Sequence, residues 1–247
     1  MKHLRDLTII ALVAIGQVVS AQTKTSVAAF HKVIISPHIA ATFIQGDEES
    51  VTILERTVDA NKINIEVNRK TLRVYLDDAK ETTKHKKVLN NGVKMKVPIY
   101  KGKVLTIKVT YKTLDNLSLR GEQQATCTSL IDVDGFYLKI YGESQVTFNE
   151  VNIKDFDVDV YGESQLTIKK GITENQRITA YGEGDINLEH IDNKNSILKA
   201  YGESKFRVQS SKRIKFTSYG EAQLYYKGQA ELVKGLSLGA SEINRID

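Results

Sequence analysis

Cysteine is nearly absent from this chain: of 247 residues, only Cys127 carries a thiol. A single cysteine excludes an internal disulfide, so the fold must rest on its core and on repeated backbone pairing. Cys127 lies in Ala125-Thr126-Cys127-Thr128, a strand-like context that suits a small buried hydrophobe better than a reactive thiol. Long apolar runs are also scarce. The one present, from Leu7 to Val19, is 13 residues long, short of the about 20 needed to cross a bilayer. Lys2 and Arg5 precede it, and Val19-Ser20-Ala21 closes it with small residues. Residues 1–21 are therefore expected to be a secretory signal peptide. No cysteine follows the run, which argues against a lipid anchor there. The mature chain is expected to be exported to the periplasm, the outer-membrane surface or the medium, and to be soluble or peripherally attached.

The residues of catalysis are equally thin. His3, His31, His38, His85 and His190 are scattered, with no zinc spacing. Neither a Gly-x-Ser-x-Gly elbow nor a phosphate-binding loop occurs. No catalytic residue, metal or cofactor is expected, and the chain reads as a non-enzyme. Hydrophobic residues at 41% and charged residues at 26% place it among ordinary globular chains rather than disordered ones. Without residues 1–21 the count is 33 basic against 29 acidic residues, a net +4.

What is abundant is repetition. Arg120-Gly121-Glu122 is followed by Tyr141-Gly142-Glu143, Tyr161-Gly162-Glu163, Tyr181-Gly182-Glu183, Tyr201-Gly202-Glu203 and Tyr219-Gly220-Glu221, then by a degenerate Leu238-Gly239-Ala240. The glycines are spaced by 21, 20, 20, 20, 18 and 19 residues. Within a copy, Phe156, Val158 and Val160 alternate with Asp157, Asp159 and Tyr161, and Leu166 and Ile168 resume the alternation beyond Gly162. Period-2 patterning with one apolar face indicates strands. A unit of about 20 residues is half a propeller blade, and the leucine-rich pattern is missing. Such a unit buries its apolar face only by stacking on its neighbours. The expected fold is all-β, a right-handed parallel β-helix-like solenoid with about 20 residues per coil, preceded by an irregular β part.

That preceding part, residues 22–118, shows strand candidates at 30–35, 40–45, 51–54, 63–67, 72–76 and 104–111. Turn signals at Ser36-Pro37, Gln45-Gly46-Asp47, Asn68-Arg69-Lys70 and Asn90-Asn91-Gly92 separate them. No 20-residue period is visible there. The region is expected to cap residues 119–247 or to form irregular first coils, in one continuous domain, because an uncapped solenoid end exposes strand edges.

In-register stacking would align Tyr141, Tyr161, Tyr181, Tyr201 and Tyr219 in one outer column. Glu143, Glu163, Glu183, Glu203 and Glu221 would form another, begun by Glu122. Aromatic columns bind sugars by stacking, and tyrosine adds a polar edge. Carboxylates about 5 Å apart repel by roughly 1 kcal/mol per pair in water, which calls for cations, lysine partners or raised pKa values. These ten residues are the candidate ligand-binding face. The alternative is purely structural: tyrosine laddering on tyrosine, and glutamate accepting backbone N–H bonds at the bend. Asp155, Asp157 and Asp159 read as a solvated face rather than a Ca²⁺ site, since no second acidic strand flanks them. Between Lys80 and Lys103 lie eight lysines and one glutamate, a local +7 that leaves the rest of the mature chain at −3. That stretch is either a solvated loop or a surface for anionic polysaccharide or lipid headgroups. With little aromatic interleaving, it does not suggest nucleic acid.

The segments Phe30-His31-Lys32-Val33-Ile34-Ile35, Ala41-Thr42-Phe43-Ile44-Gln45-Gly46, Val51-Thr52-Ile53 and Leu72-Arg73-Val74-Tyr75-Leu76, with the glycine-centred copies after them, resemble the head GIN domain family (DUF2807, named for auto-transporter adhesins) over roughly residues 28–243. The resemblance implies a β-helix fold and export, mostly in Bacteroidetes-type bacteria, and it brings no catalytic residues. The family usually carries Ser-Gly-Ser or Ser-Gly-Gly where this chain has, in most copies, Tyr-Gly-Glu-Ser, so ligand specificity does not transfer. The leading reading is an exported adhesin-like or scaffolding protein of the cell envelope. Its expected partners are an extracellular glycan or another envelope protein, with a homo-oligomer as a further form. A ligand- or lipid-binding sensor module and a polysaccharide-active β-helix enzyme are the alternatives. The enzyme reading is disfavoured because carboxylates repeated identically along an axis make a ladder rather than an acid/base pair.

Overall fold

A computed structural model describes residues 22–90 and 93–246. The expected signal peptide, residues 1–21, and Asn91-Gly92 of the expected turn lie outside the described residues. The chain winds into a β-solenoid of about six turns, built on an 11-stranded and a 10-stranded sheet. The one helical piece among the described residues is a 3-10 turn at Ala60–Lys62.

One coil shows how the sequence sets the path. The strand Val151–Gly162 runs along one sheet and Gln165–Ile168 along the other. Val151, Ile153, Phe156, Val158, Val160, Leu166 and Ile168 are buried between them. Alternation slips once, where Lys154 and Asp155 both point outward. The ladder to the neighbouring coils skips Lys154, so the long strand bends there and the coil has three straight runs. Each coil pairs in parallel with the next, Tyr141 with Tyr161, Tyr161 with Tyr181, Tyr181 with Tyr201 and Tyr201 with Tyr219. The short 18-residue spacing leaves this register intact. Leu188 pairs with Val208, 20 residues on, whereas Asn195 pairs with Arg213, 18 residues on, so the link between those strands loses two residues.

The N-terminal part supplies both regular coils and a cap. Lys32–Ile35 and Ile39–Gln45 form a coil in register with the repeats, Val33 beside Leu117 and Ala41 beside Ala125. The coil beneath it consists of Thr71–Leu76 and Leu105–Tyr111, which come later in the chain. Between making these two coils, the chain lays one antiparallel strand on each sheet: Ser50–Arg56 against Leu105–Tyr111, and Ile63–Asn68 against Thr71–Leu76. Thr23–Ser26 then closes the edge of the first sheet. Spatial order therefore differs from sequence order, which is why no 20-residue period shows there. Both sheets run unbroken across residue 118, which falls inside the strand Asn116–Gly121. The core is one contiguous cluster along the rod, with Phe43, Phe148, Phe156 and Phe206 fully buried.

The lysine-rich stretch is not a loop. His85–Asn90 and Val93–Pro98 form an antiparallel hairpin that joins neither large sheet. Val93–Pro98 alternates Val and Met with lysine, a period-2 pattern that the density of charge obscured, whereas His85–Asn90 places its two lysines side by side and does not alternate.

Candidate functional site

The bend that follows each long strand is built from Tyr-Gly-Glu, with serine next at Ser144, Ser164 and Ser204 and Gly184 or Ala222 in the other two copies, and each residue has its own task. The glycine takes a positive φ: 102° at Gly142 and Gly162, 111° at Gly182, 124° at Gly202 and 127° at Gly220. A Cβ on any of these five would come within 2.4–2.9 Å of the carbonyl oxygen of the glycine one coil before. Only glycine allows the coils to approach this closely at the bend. That carbonyl is also the hydrogen-bond hub of the corner. Gly142 accepts the Glu163 backbone N–H at 2.9 Å and the Ser164 hydroxyl at 2.9 Å. Gly121 accepts Glu143 N–H at 3.0 Å and Ser144 Oγ at 2.8 Å in the same way. Ser144, Ser164 and Ser204 are buried under the bend, each with its hydroxyl on the preceding glycine carbonyl.

The tyrosines sit one residue before the glycines, on the outer face. Tyr141, Tyr161, Tyr181, Tyr201 and Tyr219 form one continuous stack. Successive ring centroids are 4.8, 4.8, 4.9 and 5.2 Å apart, with interplanar angles of 3–8°. In-register parallel pairing dictates this spacing, because neighbouring strands lie about 4.8 Å apart. The consequence is chemical. The inner rings have both faces covered by neighbours, and the outer face of Tyr141 carries the Arg120 guanidinium at 4.9 Å. From Tyr141 to Tyr201 the column therefore offers ring edges and hydroxyls, not faces. A phenol both donates and accepts hydrogen bonds. Burial within the stack, with Asp159 nearby, holds the Tyr161 phenol above its ordinary range, so it stays a donor.

The glutamates stand beside this stack. Glu122, Glu143, Glu163, Glu183, Glu203 and Glu221 are all exposed. No side chain among the described residues pairs with their carboxylates. The bend uses the backbone N–H groups of Glu143, Glu163 and Glu183, while the hydroxyls of Ser144, Ser164 and Ser204 do the capping. The result is a corner edge on which phenol hydroxyls and free carboxylates recur at one strand spacing.

The aspartates of the 155–159 strand are engaged within the sheet. Asn175 donates to Asp155 at 2.8 Å, Arg177 pairs with Asp157 at 2.7 Å, and the Tyr137 hydroxyl donates to Asp159. Among the described residues no cluster of His, Cys, Asp and Glu is arranged to hold a metal.

The comparisons with known proteins bear on this scaffold. The model of the family described as "Putative auto-transporter adhesin, head GIN domain" (DUF2807) matches residues 29–230. The chain belongs to this family. Among solved structures, a "putative adhesin" from Bacteroides fragilis is similar with a TM-score of 0.74 at 17% identity, covering 91% of this chain and 96% of that one. A "putative adhesin" from Parabacteroides merdae follows with a TM-score of 0.66 at 14% identity, over 92% and 96%. A "putative lipid binding protein" from Parabacteroides distasonis has a TM-score of 0.63 at 14% identity, also over 92% and 96%. Identities this low speak to the shared fold alone. A comparison with curated proteins finds no match.

Two features of this head GIN domain protein lay beyond the sequence reading. At the N-terminal end of the tyrosine column, Glu81 pairs with both Arg73 and Arg120, fixing the guanidinium that caps Tyr141. A cleft of about 360 Å³ opens there, lined by Pro37, His38, Glu81, Arg120, Gln123 and Tyr141. Further along the rod, the core contains a polar ladder. Gln176 donates to Ser196 at 2.7 Å, and Asn193 donates to Ser196 and Ser210 at 2.8 and 2.9 Å. Gln176 stands where the coil before has Phe156, a departure from the apolar pattern that was the available signal.

Proposed function

We propose that this head GIN domain protein is an exported, non-catalytic, adhesin-like protein of the cell surface, and that it holds an extended polyhydroxylated chain, a glycan, along its tyrosine–glutamate edge. The observation that carries this reading is the five-tyrosine stack with an exposed, unpartnered carboxylate column beside it. Recognition there works by hydrogen bonding at a fixed repeat. Sugar hydroxyls donate to carboxylates and exchange bonds with phenols, while the covered ring faces leave no room for a sugar to stack. A rigid linear array suits a polymeric ligand because successive weak contacts add through effective concentration.

The family description and the adhesin-named structural relatives support the adhesin-like reading and export. The repetition of identical carboxylates supports a binding role over a catalytic one. The lipid-binding name of the Parabacteroides distasonis relative favours a second ligand class. In this chain the space between the sheets is filled by the core, so a lipid would have to be met at the surface.

The test is a glycan array followed by titration calorimetry, with product analysis in parallel. Tyr161→Phe/Tyr181→Phe keeps the stack and removes hydroxyls, and Glu163→Gln/Glu183→Gln removes charge. Binding to a polysaccharide that both double variants weaken at least tenfold, without product, supports the proposal. Binding that neither variant alters, or the appearance of product, rejects it.

A further inference from the structure

The hairpin of His85–Asn90 and Val93–Pro98 is out of keeping with the rest of the surface. Leu89, Val93 and Met95 are 70%, 61% and 47% exposed, on strands that pair only with each other. Isolated two-stranded hairpins are marginal in water, and exposed apolar side chains give this one no help. Its base is nonetheless tied down. Ile99 N–H donates to the Lys84 carbonyl at 3.0 Å, Lys84 N–H donates to the Asp78 carbonyl at 2.8 Å, and the Lys84 ammonium pairs with Asp78 at 2.9 Å. The fold thus holds out an anchored hairpin that exposes Leu89, Val93 and Met95 in its distal half.

The register sorts its two faces. Val88 lies opposite Met95, and Val97 opposite Lys86, on one face; Lys87 lies opposite Lys96, and Leu89 opposite Lys94, on the other. Like charges directly opposite each other are destabilising, so Lys87 and Lys96 call for an anion. The protein supplies none. Lys86, Lys87, Lys94 and Lys96 have no acidic partner among the described residues, and no Asp or Glu lies between His85 and Pro98. Elsewhere in the same stretch, Lys80, Lys84 and Lys103 are paired with Glu66, Asp78 and Glu55. Charge is therefore neutralised at the base of the hairpin and left open along it. An anionic polymer would satisfy the lysines but leave Leu89, Val93 and Met95 in water. A bilayer of anionic phospholipid satisfies both sets at once, with apolar side chains at the acyl boundary and ammonium groups among the phosphates.

We propose that this hairpin is a membrane-contact element that enters the interface of an anionic phospholipid bilayer end-on, so that Leu89 on one face and Val93 and Met95 on the other both reach it, with Lys86, Lys87, Lys94 and Lys96 on lipid phosphates. The proposal is independent of the glycan reading, because the hairpin takes no part in the tyrosine–glutamate edge.

The chain contains no tryptophan, so Val93→Trp installs a single fluorescent probe at the hairpin's end. Vesicles of phosphatidylglycerol and phosphatidylcholine should bind the full-length mature protein and shift the emission to the blue. Pure phosphatidylcholine vesicles should do neither. Near an anionic surface each lysine contributes about a fivefold factor to partitioning, so Lys87→Gln/Lys96→Gln should weaken sedimentation with the anionic vesicles by roughly 25-fold. The melting temperature of the solenoid checks that the fold is intact in both variants. No binding to anionic vesicles, binding without a blue shift, or binding unchanged in the lysine variant would each overturn the proposal. So would binding to heparin in place of vesicles.

Discussion

Gly162→Ala is the sharpest perturbation of the stacked bend. The φ of 102° at Gly162 lies where L side chains rarely go, at a cost of about 1–3 kcal/mol. The added Cβ would also sit 2.4 Å from the Gly142 carbonyl oxygen, so the coils must separate. Separation endangers the Glu163 N–H and Ser164 hydroxyl bonds to that carbonyl, each worth about 1 kcal/mol net. The expected loss is about 3–5 kcal/mol. Gly102 provides the control. Its φ is also positive, at 57°, yet nothing lies within 4 Å of an added Cβ, so Gly102→Ala should cost only about 1–2 kcal/mol. For a domain of this size, 1 kcal/mol moves the melting temperature by about 2–4 °C. Thermal unfolding followed by circular dichroism should therefore show Gly162→Ala lower by about 6–20 °C and Gly102→Ala by no more than about 8 °C. Equal shifts for the two variants would refute the claim that the bends touch.

Cys127, fully buried with its thiol pushed well above the ordinary value by desolvation, should not react with an aromatic disulfide reagent until the protein unfolds; rapid titration in native buffer contradicts the placement. The Tyr111 hydroxyl is buried without a hydrogen-bond partner, so Tyr111→Phe should leave the unfolding free energy from urea titration unchanged or raise it by up to about 1 kcal/mol. Burial, the largest cause in each case, raises the Tyr111, Tyr137 and Tyr161 phenols above the ordinary 10.0. Since the folded state holds these protons more tightly, their contribution is fully present below pH about 10 and is lost as pH climbs through the raised values. Urea midpoints measured across the alkaline range should fall above about 10, less steeply in Tyr111→Phe.

The repeating half was legible because each coil places the same residue types at the same steps. Phe156, Val158 and Val160 announced the inward face, and the tyrosines and glutamates announced outer columns. The first half was harder because alternation identifies strands without saying which ones pair. Six strand candidates between residues 30 and 111 correspond to observed strands, yet the order in which they stack came only with the structure. The role of the bend serines was hidden because a hydroxyl after glutamate reads as solvent-facing, whereas Ser144 and Ser164 turn in beneath the preceding carbonyl. The covered faces of the tyrosine rings follow from the orientation of each ring along the rod, which residue spacing does not encode.

Disulfide trapping tests the in-register columns most directly. Tyr161 and Tyr181 are 20 residues apart in sequence and directly paired, so their Cα atoms fall within the about 4.4–6.8 Å that a disulfide bridges. Tyr161→Cys/Tyr181→Cys should oxidise to an intramolecular crosslink in the folded protein. Tyr161→Cys/Tyr201→Cys, two coils apart at about 9.6 Å, should not. Crosslinking in the second pair but not the first, or in neither, would contradict the stacked-coil account.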